Sequence, residues 1–266
     1  MLATLHSLSS EATLWLTSLV LASARMAPVF FVLPFLNTSV LTGVMRQTVI
    51  MVVAIGLWPH PVSALAPIPA VTMLTMIAGE ALIGIVLACL LSWPFWVFHA
   101  VGSFIDNQRG ATLSSSIDPA NGIDTSEMAN FFNLFAAAIY LQGGGMQLML
   151  NMFAQSYQLC DPLLACQMQF QPLASVLTSF MGQALVLSSP VVIALLLTEA
   201  LLGLLSRFAP QMNAFSIALT VKSAVALIML LLYFGPLLSG EVMNLRRDPA
   251  TLSNWFTVPK ANDGSQ

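Results

Sequence analysis

The chain has 266 residues, of which 58% are hydrophobic and only 7% are charged, and its mean hydropathy is +0.86. A soluble chain carries roughly a quarter charged residues, so this composition excludes a water-facing surface all round and indicates an integral membrane protein. The net charge of -3 gives no basic surface for nucleic acid.

Six apolar runs are candidate membrane-spanning helices, each of which needs about 20 residues. In chain order they cover residues 13–36, 44–58, 69–98, 129–150, 173–205 and 212–238. The first run is too long for a signal sequence and is interpreted as a retained helix. The third and fifth are longer than one crossing needs and contain Pro94 and Pro190, which predicts kinked helices or tight helical hairpins. We therefore predict an all-α integral membrane protein.

Basic residues give a partial orientation by the positive-inside rule. Three arginines fall in alternate loops, namely Arg46, Arg109 and Arg207. The loops 59–68 and 151–172 carry no Lys or Arg, so the second of them is predicted to be periplasmic. Six crossings would place the C-terminal tail outside. Its basic residues Arg246, Arg247 and Lys260 favour the inside, and therefore an odd number of crossings.

Several ionisable residues lie within or at the ends of long apolar segments: Arg25, Glu80, Glu199, Arg207 and Lys222. Such residues persist where they face a bundle interior, a partner or a water-filled path. They either pair and fix the assembly, or line a proton or substrate path. Glu80 has two plausible partners, Arg25 and Lys222. Small residues at Gly79, Gly84 and Gly203 indicate close approach between helices.

Two cysteines, Cys160 and Cys166, flank a short polar loop. They can form a small disulfide in an oxidising compartment or remain reduced elsewhere. They do not suggest a metal site, because no His or third Cys is near them. Further upstream, Gly143, Gly144 and Gly145 interrupt an apolar run and predict a bend.

The densest polar stretch spans residues 102–132. Its segment 118–122, Asp-Pro-Ala-Asn-Gly, is typical of a turn. Asp124 and Glu127 resemble a capping box that starts a helix at about Thr125. The stretch is either a solvated connector or a functional loop in a pore or gate. Its length and its small residues favour the second interpretation.

Catalytic motifs are not found in the sequence. The histidines His6, His60 and His99 are far apart and form no HExxH pair, and there is no GxSxG, P-loop or GxGxxG pattern. We therefore expect a protein that is not an enzyme and has no cofactor.

Long, specific segments carry a family likeness: ARMAPVFFVLPFLN (24–37), LLSWPFWVFHA (90–100), DNQRGATLSSSIDPANGIDTSEMANF (106–131), SYQLCDP (156–162) and LLSRFAPQMNAFSIALTVKS (204–223). They resemble the SpaR/SctT family of bacterial type III secretion systems, which is related to flagellar FliR. The likeness covers almost the whole chain and weakens after about Leu238.

This resemblance implies a core subunit of the inner-membrane export gate, through which unfolded effector and needle proteins pass. It implies an SctR-like part at 1–172, an SctS-like helical hairpin at 173–238 and a tail at 239–266. The implied assembly is a helical, hetero-oligomeric pore with SctR-like and SctS-like subunits, within the secretion needle complex. An SctU-like switch protein and inner rod and needle proteins are further implied partners.

In the resembled family, a loop of this subunit helps to plug the closed pore. The matching positions lie within 106–122: Asp106, Asn107, Gln108, Arg109, Gly110, Ser114, Ser115, Ser116, Asp118, Pro119, Asn121 and Gly122. The segment 206–213 matches the tip of the SctS-like hairpin, which is expected to face the cytoplasmic entrance. The alternative is a self-contained transporter for a small solute or ion, with Glu80, Glu199 and Lys222 as a midplane site.

Overall fold

The computed structural model describes residues 2–36, 40–61, 68–110, 126–164, 166–169, 172–208, 214–233 and 238–257. The helices in these ranges are α1 Leu2–Val32, α2 Gly43–Leu57, α3 Ala70–Arg109, α4 Glu127–Gln142, α5 Gly145–Leu159, α6 Pro172–Phe208, α7 Ala214–Tyr233 and α8 Ser239–Asn244. A 3₁₀ helix follows at Pro249–Asn254. The short strands β1 Gln167–Met168 and β2 Phe256–Thr257 pair antiparallel. The predicted all-helical class is confirmed, with this strand pair as an addition.

The number of membrane-spanning segments differs from the prediction. Among the described helices, three are long and apolar enough to cross a membrane: Glu11–Val32, Ala70–Arg109 and Ser175–Phe208. Gly43–Leu57 and Ile217–Tyr233 are apolar but shorter. The fourth predicted run is divided between α4 and α5. An apolar run identifies a helix that is shielded from water, whether lipid or protein shields it, so six apolar runs do not by themselves imply six crossings.

Proline residues lie inside three of the long helices. Pro28 is in α1, Pro94 in α3 and Pro190 in α6. The interpretation of the third and fifth runs as tight internal hairpins is therefore wrong. Proline in a helix interior costs about 3 kcal/mol through one lost hydrogen bond and a clash, which packing along a long apolar helix can outweigh.

The predicted bend at the glycines is confirmed. α4 ends at Gln142, Gly143 is its C-cap, and α5 begins at Gly145. Gly144 has a φ of 78°, in the left-handed region. Residues with a Cβ enter this region only at a steric cost, so glycine permits the break here.

The chain forms two compact units. The first unit contains Met1–Ser92, Gly144–Pro172 and Arg247–Gln266, and the second contains Trp93–Gly143 and Leu173–Arg246. Both units are discontinuous in sequence, and α3 contributes its first half to one and its second half to the other. This grouping differs from the division after residues 172 and 238 that the resemblance implied.

In the first unit, α1 packs against α2 around the buried side chains of Leu21, Met26 and Phe30. The Arg46 guanidinium of α2 lies over the Phe31 ring of α1, with its carbon 3.9 Å from the ring centroid. The strand pair aligns Gln167 with Thr257 and Met168 with Phe256, and the 3₁₀ helix packs on α5. The chain after Arg246 is thus held by the segment that follows α5.

In the second unit, the C-terminal half of α3 packs antiparallel on α4. The Phe98 and Phe132 rings are 6.3 Å apart, and those of Phe95 and Tyr140 are 5.1 Å apart. Gly102 allows this approach, since a Cβ there would lie 2.5 Å from the Ala129 Cα. This hairpin brings the end of α3 close to the start of α4.

Candidate functional site

A buried ion pair joins α1 to α3 in the first unit. Arg25 Nε donates to Glu80 Oε2 at 2.5 Å, and Arg25 Nη2 donates to Glu80 Oε1 at 2.8 Å. The Arg25 side chain is 0% exposed and the Glu80 side chain is 5% exposed. Two parallel bonds of this kind fix the geometry of both groups. Of the two partners that the sequence left open for Glu80, the structure shows Arg25.

The other donors of Arg25 bind the end of α5. Nη1 donates to Ser156 Oγ at 3.2 Å, and Nη2 donates to the Cys160 carbonyl oxygen at 2.9 Å. The Tyr157 ring lies 4.1 Å from the guanidinium carbon, which is a cation–π contact. Burial raises the pKa of the Tyr157 hydroxyl, so the ring stays neutral beside the charge. Ser156 and Tyr157 were not predicted as partners of Arg25, because they are about 130 residues away in sequence and no local pattern indicates this contact.

Close packing of α1 on α3 at this pair depends on Gly84. A Cβ on Gly84 would collide with the Arg25 carbonyl oxygen and would lie 3.0 Å from Pro28 Cγ. The predicted close approach is therefore confirmed at Gly84. For Gly79 and Gly203 a Cβ would meet nothing within 4 Å in the described chain, so the prediction is wrong for intrachain packing there.

A disulfide joins Cys160, which caps α5, to Cys166, which precedes β1, and their Cα atoms are 5.4 Å apart. Within this loop, Asp161 Oδ1 lies 2.7 Å from His60 Nε2 and also accepts from the Leu163 backbone N–H at 2.9 Å. Both side chains are about one-quarter exposed, at 24% for His60 and 27% for Asp161. The loop is thereby attached to the segment that follows α2.

In the second unit, the Asp106 carboxylate links the last turn of α3 to the first turn of α4. Oδ1 accepts from Arg109 Nε at 2.7 Å, whereas Oδ2 accepts from Ser126 Oγ at 2.6 Å and from the Met128 backbone N–H at 3.0 Å. The Asp106 side chain is 1% exposed. We call these four residues the Asp106 cluster. A buried carboxylate with three donors holds the two helix ends together.

The start of α4 differs from the predicted capping box. The helix begins at Glu127, and its N-cap is Ser126, whose hydroxyl accepts from the Ala129 backbone N–H at 3.2 Å. A serine here satisfies a free donor of the first turn, as N-cap residues do. Asp124 and Thr125 lie outside the described residues.

The predicted plug-loop residues fall into two groups. Asp106, Asn107, Gln108 and Arg109 are helical and end α3, and Gly110 follows in a turn with a φ of 81°. This part of the predicted loop is therefore a helix end rather than a loop. The remaining members lie outside the described residues: Ser114, Ser115, Ser116, Asp118, Pro119, Asn121 and Gly122.

A second ion pair links α6 and α7. Lys222 Nζ lies 2.8 Å from Glu199 Oε2, with the side chains 13% and 57% exposed respectively. Arg207 is exposed at the end of α6. The Glu199 carboxylate is accessible in the isolated chain, whereas Glu80 is enclosed. The midplane charges of the sequence analysis therefore have different environments.

Metal-binding chemistry finds no support in the part of the chain that the structure describes. No group of three or more His, Cys, Asp or Glu side chains there could hold a metal ion. The ionisable groups of both units instead bind one another or backbone atoms.

Comparison with known proteins gives extensive matches. The sequence profile described as "Bacterial export proteins, family 1" matches residues 16–244. The chain is 56% identical over 239 residues to "Surface presentation of antigens protein SpaR" of Salmonella typhimurium, covering 90% of this chain and 91% of the relative.

Two further relatives are similar over comparable lengths. The SpaR protein of Shigella flexneri is 49% identical over 232 residues, covering 87% of this chain and 91% of the relative. "Yop proteins translocation protein T" of Yersinia pestis is 31% identical over 242 residues, covering 86% and 90%. The profile match at residues 16–244 spans parts of both units.

Proposed function

The chain belongs to the bacterial export proteins, family 1, and we propose that it is a core subunit of a type III secretion export gate in the bacterial inner membrane. The observation that carries this proposal is the near full-length similarity to the SpaR proteins, at 56% and 49% identity. Three apolar helices able to cross a membrane support the location. The proposed cargo is unfolded effector and needle protein.

We propose that the chain works within a hetero-oligomer rather than alone. Exposed apolar side chains line α6 and α7, among them Ile193 at 63%, Leu197 at 62% and Leu231 at 73%. Large exposed apolar surfaces mark contacts with lipid or with protein partners. In this proposal SctR-like and SctS-like subunits cover part of this surface, and an SctU-like switch protein and the inner rod and needle join the assembly.

The domain assignment is part of the proposal. Residues 1–172 would be the SctR-like part, and α6 with α7 would be the SctS-like hairpin within 173–238. The Glu199–Lys222 pair, at 2.8 Å, supports the hairpin because it links its two helices. The hairpin tip within 206–213 would face the cytoplasmic entrance.

We also propose that the segment 106–122 contributes to closure of the pore. Small residues close a pore without a bulky plug, so a moving chain can displace them. The Asp106 cluster supports a fixed base for this segment, since two of its bonds, from Ser126 at 2.6 Å and Met128 at 3.0 Å, join the helix ends on either side. Asp106 and Arg109 would therefore stay in place while the residues after Gly110 move.

Subunit stoichiometry tests the assembly. The chain is co-expressed with its neighbouring membrane proteins, purified by an affinity tag, and weighed intact by native mass spectrometry. A hetero-oligomer that contains one copy of this chain is expected. A stable monomer or homodimer that transports a solute in liposomes would refute the proposal.

Loop substitution tests the gate. Ser114, Ser115 and Ser116 are replaced together by bulky residues, and ion leakage and secretion are measured in the same cells. A change in leakage or secretion at unchanged subunit abundance is expected. If both stay normal, the segment does not close the pore.

The transporter alternative has less support from the geometry. Of the two carboxylates in its midplane site, Glu80 binds Arg25 with both oxygens, at 2.5 and 2.8 Å, which leaves Glu199 and Lys222 without it. We also propose that the chain has no catalytic role of its own, and that energy for export comes from a partner ATPase and the proton gradient.

A further inference from the structure

Four chain segments meet at one end of the first unit. His60, which follows α2, contacts Asp161 in the disulfide loop at 2.7 Å. The strand after Cys166 pairs with β2 near the C-terminus. A cavity of about 410 Å³ is lined by Trp15 and Ser18 of α1 together with Trp58 and His60, so the first half of α1 also reaches this end. We call it the disulfide end.

We propose that Cys160 and Cys166 are an oxidative modification site, and that they are the substrate of a dithiol oxidase on the non-cytoplasmic side of the membrane. Disulfides persist in the periplasm and are rare in the cytosol. This inference does not depend on the export function. It assigns the disulfide end, and with it the segment after Arg246, to the periplasmic face.

The chemistry balances with a protein disulfide as oxidant. Cys160 is 1% exposed and Cys166 is partly exposed, so Cys166 is the sulfur that the oxidase reaches. Its thiolate attacks the disulfide of the oxidase and forms a mixed disulfide. The Cys160 thiolate then attacks the Cys166 sulfur. The oxidase leaves as a dithiol, having accepted two electrons and two protons.

Pairing of β1 with β2 fixes the position of the C-terminal segment. The chain leaves β1, passes through α6 and α7, and returns to β2, which is aligned with β1 at Gln167↔Thr257 and Met168↔Phe256. A segment that begins and ends at the same place crosses a membrane an even number of times. The C-terminal segment therefore lies on the same side of the membrane as Cys166, which replaces the cytoplasmic placement that its basic residues favoured.

The contact between His60 and Asp161 gives the same result for the segment between these two residues: it crosses the membrane an even number of times. The chain leaves His60, passes through α3, α4 and α5, and returns to Asp161 at 2.7 Å from the His60 ring. The segment between His60 and Asp161 therefore begins and ends on the same side of the membrane.

Charge distribution agrees with this orientation. Each arginine expected in the cytoplasm lies at the far end of its own helix from the residues that join it to the disulfide end: Arg46 near the start of α2, which His60 follows, Arg109 at the end of α3 and Arg207 at the end of α6, which begins at Pro172. The positive-inside rule counts basic residues in short loops. The basic tail is the exception to this rule, with Arg246, Arg247 and Lys260. Of these, Arg246 donates to the Gly143 carbonyl oxygen at 2.8 Å.

The disulfide has a structural role in this arrangement. The carbonyl of Cys160 accepts from buried Arg25, whereas Cys166 adjoins the strand that binds β2. The bond therefore connects the Arg25–Glu80 pair to the attachment of the C-terminal segment. Reduction would leave only the main chain of residues 160–166 between α5 and this attachment.

Thiol counting in cells tests the modification. The full chain is expressed with its partners, denatured in SDS, and treated with a polymer-linked maleimide before or after reduction. One thiol, Cys89, should react before reduction and three after it. In a strain without the periplasmic dithiol oxidase, all three should react at once. Three reactive thiols in ordinary cells, or a disulfide that forms equally without the oxidase, would overturn the proposal.

Cysteine accessibility tests the orientation independently. Ser253→Cys and Thr42→Cys are each placed in a chain without its natural cysteines, because both positions are exposed and lie near opposite ends of the first unit. A membrane-impermeant maleimide should label position 253 in intact spheroplasts, whereas position 42 should react only after permeabilisation. Labelling of position 42 in intact spheroplasts, or of neither position, would refute the assigned face.

Discussion

In a buried ion pair such as Arg25 and Glu80, replacing one partner alone destabilises the protein strongly. Glu80→Gln or Arg25→Met leaves one enclosed charge without its counter-ion, which should destabilise the protein by about 3–5 kcal/mol. The double variant Arg25→Met with Glu80→Leu removes both charges and should recover most of the loss. Unfolding of the detergent-solubilised complex in a denaturant series measures both effects.

The exposed pair supplies a matched control for this prediction. Glu199 is 57% exposed, so its charge remains solvated when Lys222 is lost. Lys222→Gln should therefore change the free energy of unfolding by at most about 1 kcal/mol. A loss with Lys222→Gln equal to that with Arg25→Met would show that burial does not set the strength of these pairs.

Asp106 binds three donors with two oxygens, so its replacement by the isosteric amide is informative. Asp106→Asn loses the charge and places an NH₂ group opposite one donor, which should cost about 1–3 kcal/mol in stability. If the cluster is the base of the closing segment, ion leakage through the assembled gate should also rise. Glu127→Gln, an exposed carboxyl change in the adjacent turn, should leave leakage unchanged.

At the scale of the helices, α3 contains two glycines with opposite expected responses to alanine. A Cβ at Gly84 collides with the Arg25 carbonyl oxygen, which is backbone and cannot turn aside. Gly84→Ala should therefore destabilise the protein by about 1–3 kcal/mol. Gly79→Ala meets nothing within 4 Å and should stabilise the helix by up to about 1 kcal/mol. The midpoint of thermal unfolding in detergent distinguishes the two.

Helices were largely predictable from the sequence, whereas their ends and partners were not. Apolar runs marked every long helix, and the three glycines marked the break between α4 and α5, because both signals are local. The continuation of α3 past residue 98 to Arg109 was missed, since Asp106 there is buried by contacts from Ser126 and Met128. Those contacts are 20 and 22 residues away in sequence, and no periodicity reports them.

The charged residues of the candidate site illustrate the same limit. Arg25 and Glu80 were conspicuous because charges are rare in such a chain, yet their pairing was open. Their 55-residue separation is bridged by the packing of α1 on α3. The contact between His60 and Asp161 was not predicted, because each residue lies in an ordinary polar connection between helices. Only the three-dimensional arrangement brings them within 2.7 Å.

At the scale of the whole molecule, substitutions on the exposed and buried faces of α6 distinguish an effect on assembly from an effect on folding. Ile193 is 63% exposed, whereas Leu195, two residues along the same helix, is 0% exposed. If partner subunits cover the outer face, Ile193→Asn should lower recovery of the hetero-oligomer while the chain itself accumulates normally. Leu195→Asn buries an amide without a partner and should instead lower the amount of folded chain, through a cost of several kcal/mol. Co-purification yield divided by chain abundance measures the difference. Normal recovery with Ile193→Asn would mean that the partner contacts lie elsewhere on the molecule.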